Sequence, residues 1–268
     1  MIEKHAATER KACELAHIPR TTFRYQRNEE KDLPLKQRLT ELAQEKPRYG
    51  YRRLDILLRR EGEMVNHKRL FRVYRAAGLC VKRRQRKRLV RTGTPQMVSS
   101  APNQQWAIDF VHDRLASGRT IRVLTVVDTF TRECPGLEVD SCLPSPRVTR
   151  ALDLIIFERG RPESIRMDNG SELTSRHFLA WSVDRRIALN YIQPGKPTQN
   201  AYVESFNGKF RDECLNTSWF RNLWEARRRI ADWREEYNSI RPHSRLGNMT
   251  PNEFVAALIA EGKAVLQI

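Results

Sequence analysis

Apolar residues recur with a helical period through the first third of the chain, and from Trp106 onward they fall into short β-rich runs alternating with helices. In Ala7–Arg27, Ala12, Leu15 and Ala16 share one face and His17-Ile18-Pro19 breaks it. Phe23 then anchors a second short helix bearing Thr21, Thr22, Arg24 and Arg27. That pattern fits a helix-turn-helix and an ordinary helical hairpin equally. Pro34–Glu45 predicts a further helix, Lys46-Pro47 interrupts it, and Tyr51–Glu61 resumes with Leu54, Leu57 and Leu58 inward. Asn66 caps the next helix, which carries Leu70, Val73, Tyr74 and Ala77 at i, i+3, i+4 and i+7, and Gly78 sits just past its end. Arg52, Arg53, Lys68, Arg69 and Arg72 fall outside these helices, as in a three-helix or winged DNA binder.

Leu89–Gln105 has no period and reads as a linker. Beyond it, Trp106–Val111, Arg119–Phe130 and Leu137–Val139 predict strands, Pro146–Arg159 a helix, Glu163–Met167 a strand and Ser175–Arg186 a helix. Ala188–Ile192 predicts a strand and Thr198–Cys214 a helix. The order βββαβαβα implies a mixed α/β sheet covered by helices. On a last helix, Leu223, Ile230, Trp233 and Tyr237 form an apolar stripe expected to pack on the core or a second subunit and not to stack on bases. The expected segments are 1–32, helix-turn-helix-like; 33–88, a second helical DNA-binding domain; 89–105, linker; 106–215, catalytic core; and 216–268, a C-terminal helical extension.

Charge sharpens this division. The chain has 268 residues and a formal net charge of +17. Residues 1–100 hold 26 Lys or Arg against 11 Asp or Glu, whereas the remainder holds 23 against 21. A basic front half on a nearly neutral back half is the footprint of a nucleic-acid-binding module attached to something else. Lys82, Arg83, Arg84, Arg86, Lys87 and Arg88 form a run that cannot pack and belongs in water or on phosphate. The longest apolar run, Phe254–Ala260, is far short of the roughly 20 residues of a membrane span. The N-terminus has no secretory h-region, which predicts a cytoplasmic protein with no membrane partner. Five scattered cysteines without a C-x-x-C pair predict reduced thiols, and Cys13 with His17 is expected to be structural burial, not zinc.

Three acids stand where acids are costly. Asp109 lies mid-strand between Ile108 and Phe110, Asp168 ends a strand before Asn169-Gly170, and Glu204 sits on a helix whose core stripe is Val203, Phe206 and Phe210. The stripe leaves Glu204, Asn207 and Arg211 on a polar face. Three carboxylates converging on one edge repel unless divalent cations lie between them, and Mg²⁺ prefers such hard oxygen ligands.

There are 58 residues between Asp109 and Asp168, and 35 between Asp168 and Glu204. With the surrounding W-A-I-D-F-V, M-D-N-G-S-E and P-G-K-P-T-Q-N-A-Y-V-E-S-F-N-G-K-F-R-D-E-C-L-N, this spacing resembles the retroviral-integrase-like transposases of bacterial insertion sequences, and more narrowly the OrfB-type transposases of the insertion sequence 3 family. The front-half P-R-Y-G-Y-R-R, Val65-Asn66-His67-Lys68-Arg69 and Ala77-Gly78-Leu79 resemble that family's helix-turn-helix region. Tyr237-Asn238, Arg241-Pro242-His243 and Thr250-Pro251-Asn252-Glu253-Phe254 resemble its C-terminal signature.

The resemblance implies an RNase H-like core preceded by an all-α DNA-binding region, in which Asp109, Asp168 and Glu204 hold two Mg²⁺ ions, replaceable by Mn²⁺, with Asp109 bridging. Water or a DNA 3′ hydroxyl would attack a phosphodiester in line, without a covalent protein intermediate. It also implies terminal-DNA contacts by Lys196, Asn200, Asn207 and Lys209. The implied partners are double-stranded DNA, as terminal inverted repeats and as target, further copies of the chain on that DNA, and an upstream OrfA product joined by frameshifting. Leu173 stands where the family usually has an aromatic, and no His/His/Cys/Cys zinc module is present. A tyrosine recombinase is set aside because no Tyr follows Tyr237. A DNA-binding regulator with a dead core, or an RNase H-like nuclease, would share parts of the pattern; all three carboxylates argue against the first and the basic helical front half against the second.

Overall fold

The computed structural model describes residues 8–24, 30–81, 99–193 and 200–262. The chain divides into two compact units, Met1–Arg83 and Arg84–Ile268.

Among the described residues the regular elements of the first unit are helices: α1 (Glu9–Leu15), α2 (Arg20–Phe23), α3 (Leu33–Glu45), α4 (Tyr51–Arg60) and α5 (His67–Ala76). Thr8 caps α1, and Asn66 caps α5 by accepting from the Lys68 amide at 2.9 Å. Past α5 the chain reverses at Gly78, whose φ of +70° is readily adopted by glycine. Leu39, Leu42, Leu54, Leu58, Leu70, Val73 and Tyr74 close one core among α3, α4 and α5. The first two helices depart from expectation. Phe23, predicted to anchor α2, is 52% exposed, and Leu15 and Ala16 also face outward; only Ala12 and Cys13 of α1 are buried. Four residues make too short a helix to offer a packing stripe, so Glu9 joins the two helices by receiving Arg20 and Arg24, each at 2.9 Å.

The second unit is built on a five-stranded sheet of order β3-β2-β1-β4-β5. Its strands are β1 (Gln105–Arg114), β2 (Thr120–Asp128), β3 (Gly136–Asp140), β4 (Ser164–Met167) and β5 (Ala188–Tyr191). The first three are antiparallel, while β4 runs parallel to β1 and β5 parallel to β4. Alternation along the central strand β1 feeds two cores. Trp106 and Ile108 face α6 (Ser145–Arg159) and α7 (Arg176–Asp184), whereas Ala107 and Val111 face α8 (Ala201–Glu213) and α9 (Leu223–Ser239). Near the chain end α10 (Pro251–Ala260) packs against α9 and starts with a Thr250–Glu253 capping box. This mixed sheet covered by helices on both faces has the α/β class expected, with β1 longer than expected at both ends and β2 shorter at both ends. The pattern predicts β2 as far as Phe130, but the strand stops at Asp128, whose buried carboxylate accepts the Asn103, Phe130 and Thr131 amides and turns the chain.

Residues 99–104, expected within the linker, are part of this unit. The Ser99 hydroxyl bonds Thr129 at 2.6 Å, and Asn103 links Trp106 to the Arg159 carbonyl. Trp233 and Tyr237 of α9 lie in the same cluster as Phe206 and Phe210, with Tyr237 edge-on to Phe206 at 4.9 Å. The stripe predicted on α9 thus covers the core. Among the described residues no helix is long and apolar enough to cross a membrane.

Candidate active site

Asp109 sits mid-way along the central strand, opposite Thr125 of β2, on the face covered by α8. Its neighbours on that face, Ala107 and Val111, are fully packed, yet Asp109 stays partly open because α8 presents polar groups to it. Oδ1 accepts the Phe110 amide at 2.8 Å, and Oδ2 accepts from the Asn207 side-chain amide at 2.8 Å. Burial pushes this carboxyl above the ordinary aspartate range, and the charges of Asp168 and Glu204 push the same way. The Phe110 amide and Asn207 oppose the shift without cancelling it.

Asp168 follows β4 directly, and its Oδ1 accepts the Gly170 amide at 3.2 Å. A Cβ on Gly170 would stand 3.2 Å from that same oxygen, so the tight turn favours glycine. Next to it Asn169 donates to the Ile192 carbonyl at 2.9 Å, tying the ends of β4 and β5 together. Glu204 lies in the first turn of α8. The sequence places all three acids where burial is costly; Asp109 and Asp168 are half-buried, but Glu204 is exposed, because it lies across the helix from the Val203, Phe206 and Phe210 stripe.

The three carboxylates therefore meet electrostatically at Asp109, from β1, the β4 end and α8. Among the described residues, however, no group of three or more His, Cys, Asp or Glu side chains is gathered closely enough to hold a metal ion. In chemical kind the set fits a hard divalent cation: it is all oxygen, its like charges act on one another, and the buried Oδ1 atoms of Asn200 and Asn207 find no hydrogen-bond partner among the described residues.

Two of the residues that the resemblance assigns to terminal DNA are buried beside β1. Asn207 is buried against Asp109, because the helix turns it towards β1 beside the Phe206 stripe. Asn200 is buried too, its amide donating to the Ile108 carbonyl at 3.3 Å. In the first unit, Arg52 is exposed and donates to the Tyr51 hydroxyl at 3.2 Å, Arg53 lies over the Tyr49 ring at 5.1 Å, and Lys68 is exposed. Arg69 is exposed and also holds a partner within the unit. It bonds Asp32 at 2.9 Å and the Lys31 carbonyl at 2.5 Å, since a buried carboxylate needs a cation and Arg69, with Arg72, supplies it. Lys209 is half-buried on α8. Lys82, Arg83, Arg84, Arg86, Lys87, Arg88 and Lys196 lie outside the described residues.

An ion pair that no expectation included stands beside the Gly170 turn. Arg122 of β2 bonds Glu172, four residues beyond Asp168, and lies over the Phe110 ring at 4.4 Å. The Arg122 hydrogen bond holds the Glu172 carboxyl below the usual carboxylate range. The second acid of M-D-N-G-S-E was its only signal.

The "HTH-like domain" family matches residues 29–87, and "Integrase core domain" families match residues 99–197 and 185–251. The 31.7 kDa protein of insertion element IS407 from Burkholderia multivorans is 48% identical over 95% of this chain and 92% of its own length. The 39.2 kDa protein of insertion element IS476 from Xanthomonas euvesicatoria is 50% identical over 96% of this chain and 75% of its own length. A transposase for insertion sequence element IS904 from Lactococcus lactis is 27% identical over 78% of this chain and 88% of its own. In fold, the chain is similar to one in the simian T-cell lymphotropic virus intasome bound to the PP2A regulatory subunit B56 gamma, with a TM-score of 0.50 and 18% identity over 81% of this chain and 73% of that one. An integrase-type, RNase H-like sheet behind a helical HTH-like unit, shared almost end to end with insertion-element proteins, makes this chain a member of the insertion sequence 3 family of transposases.

Proposed function

We propose that this transposase cleaves the ends of its insertion element and joins them to target DNA by in-line phosphoryl transfer, with Asp109, Asp168 and Glu204 holding two Mg²⁺ ions that Mn²⁺ can replace. The observation that carries this reading is the half-buried Asp109 carboxyl on the central strand, pushed up by its burial and by the charges of Asp168 and Glu204. Bound there, the cations would neutralise charge on the scissile phosphate and on the leaving 3′ oxygen. Asn207 holds Asp109 by its Oδ2 and leaves the other carboxylate oxygen on the Phe110 amide, which fixes the plane of the carboxylate. The turn at Gly170 does the same for Asp168.

Terminal-repeat binding is assigned to the segments 1–32 and 33–88, through Arg52, Arg53, Lys68 and the basic run at 82–88. The chain before Ser99 connects them to the core, which runs from residue 99 to 215, and the C-terminal helices brace it; on the core, Lys196 and Lys209 touch DNA. Several copies assemble on the two ends. An OrfA segment fused upstream fits the IS476 relative, of which this chain spans 75%. The test is a duplex carrying one element end, incubated with Mg²⁺ and a target plasmid. The parent nicks the 3′ end and joins it, Ca²⁺ supports binding without cleavage, and Asp168→Asn and Glu204→Gln bind the end without cutting it. Cutting by either variant at the parental rate would overturn the assignment.

A further inference from the structure

The C-terminal signature Tyr237-Asn238…Arg241-Pro242-His243 has no place in the site just described. Its polar members are nevertheless among the most deeply buried in the chain. The Arg241 side chain is 2% exposed and its partner Glu213 8%, joined by a two-pronged pair with Nε to Oε2 and the terminal nitrogen to Oε1, both 2.7 Å. Arg241 also lies 5.5 Å from the Tyr237 ring centroid, and His243 stands edge-on to that ring at 4.8 Å. Asn238 both accepts the Cys134 amide and donates to the Cys134 carbonyl, each at 2.9 Å, which fastens α9 to the segment leading into β3.

Glu213 is the last residue of α8, nine residues beyond Glu204, or about two and a half turns. It falls on the helix face of Phe206 and Phe210, roughly opposite Glu204. The Val203, Phe206 and Phe210 stripe packs without a preferred direction, and the directional contacts of α8 with β1 are single hydrogen bonds, from Asn207 to Asp109 and from Arg211 to the His112 carbonyl at 3.3 Å. A planar guanidinium fork on a carboxylate is directional and fixes both roll and slide. At the C-terminus of α8 its positive charge also meets the negative end of the helix dipole.

We infer that Arg241, acting through Glu213, is a positioning residue that sets the roll and axial placement of α8, and with them Asn207 against Asp109 and the location of Glu204. Its catalytic consequence rests on the phosphoryl-transfer reading, but the mechanical one does not. The C-terminal signature is then a brace for the active-site helix and not a surface for DNA.

A double replacement separates this role from plain stability. Removing one partner of a buried pair strands the other charge, so Arg241→Met alone lowers the melting temperature sharply, whereas replacing both partners with apolar residues is often neutral. The variant Glu213→Leu/Arg241→Met is expected to melt within about 5 °C of the parent. It should bind element ends with KM within about twofold while kcat falls at least about tenfold. Amide hydrogen exchange over 201–213 should accelerate while α6 and α7 keep their protection. Arg241→Lys, which keeps the charge and loses the fork, is expected between the two on both measurements, and it carries the test if the double variant does not fold. A double variant with kcat within about threefold of the parent, or with α8 exchange unchanged, overturns the inference. Were the parent itself unable to cut element ends, the phosphoryl-transfer reading would fail on its own, and the exchange measurement would still decide the brace.

Discussion

The half-buried Asp109 carboxyl works against the fold, and its titration makes that measurable. Its carboxyl is raised above the unfolded value chiefly by burial, so the folded chain holds the proton more tightly than the unfolded one. Asp109 therefore weakens the fold as pH rises through its raised pKa, and the penalty disappears as pH falls below the unfolded value. Asp109→Asn keeps an oxygen for the Phe110 amide, turns an NH2 towards Asn207, whose otherwise unpartnered Oδ1 can accept it once that amide flips, and removes the charge. At pH 7 without divalent cation the variant should melt about 2–4 °C above the parent, with the gap closing towards pH 3, as read by calorimetry. Mg²⁺ should raise the melting temperature of the parent and leave the variant unmoved. Strand cleavage should drop by more than about tenfold, at least ~1.4 kcal/mol in the barrier, with end binding retained. A variant no more stable than the parent at neutral pH would contradict this account of the site.

At the scale of elements, α9 is the sharpest case. Trp233 packs on Phe210 at 5.0 Å and on Phe206 at 5.6 Å, so Trp233→Ala should destabilise the core by about 3–5 kcal/mol, seen as a lower denaturant midpoint, while DNA affinity per folded molecule is unchanged. This stripe was readable from the sequence because a period near 3.6 survives any tertiary arrangement. The strands were readable for a similar reason: β1 alternates between two cores and breaks its apolar run only at Asp109. What could not be read depended on partners distant in sequence. Asn207 looks like a polar-face residue until β1, 98 positions away, supplies Asp109, and nothing around Arg69 in the sequence signals its bond to Asp32, 37 positions back. Phe23 failed for the opposite reason, since a four-residue helix gives periodicity nothing to act on.

For the whole molecule, the two compact units and the uneven charge make one cut informative. Truncation before Ser99 leaves its hydroxyl on Thr129 and should give a folded core with no end-specific binding; a cut after Ser100 removes that bond and should melt lower. Replacing the basic run at 82–88 with neutral residues should reduce the salt dependence of binding by about 0.9 for each phosphate that the run neutralises, and an unchanged slope would place that run off the DNA. The sheet order adds a constraint in time. Strand β1 is synthesised early but its parallel partner β4 begins some fifty residues later, and the α9 aromatics that close the core around α8 come later still. At about 5–20 residues per second, a ribosome completes Glu204 roughly 2–7 s before Arg241. On the brace reading, all three carboxylates exist on the nascent chain throughout that interval without Arg241 on Glu213, so a chain stopped before Arg241 should bind element ends and fail to cut them.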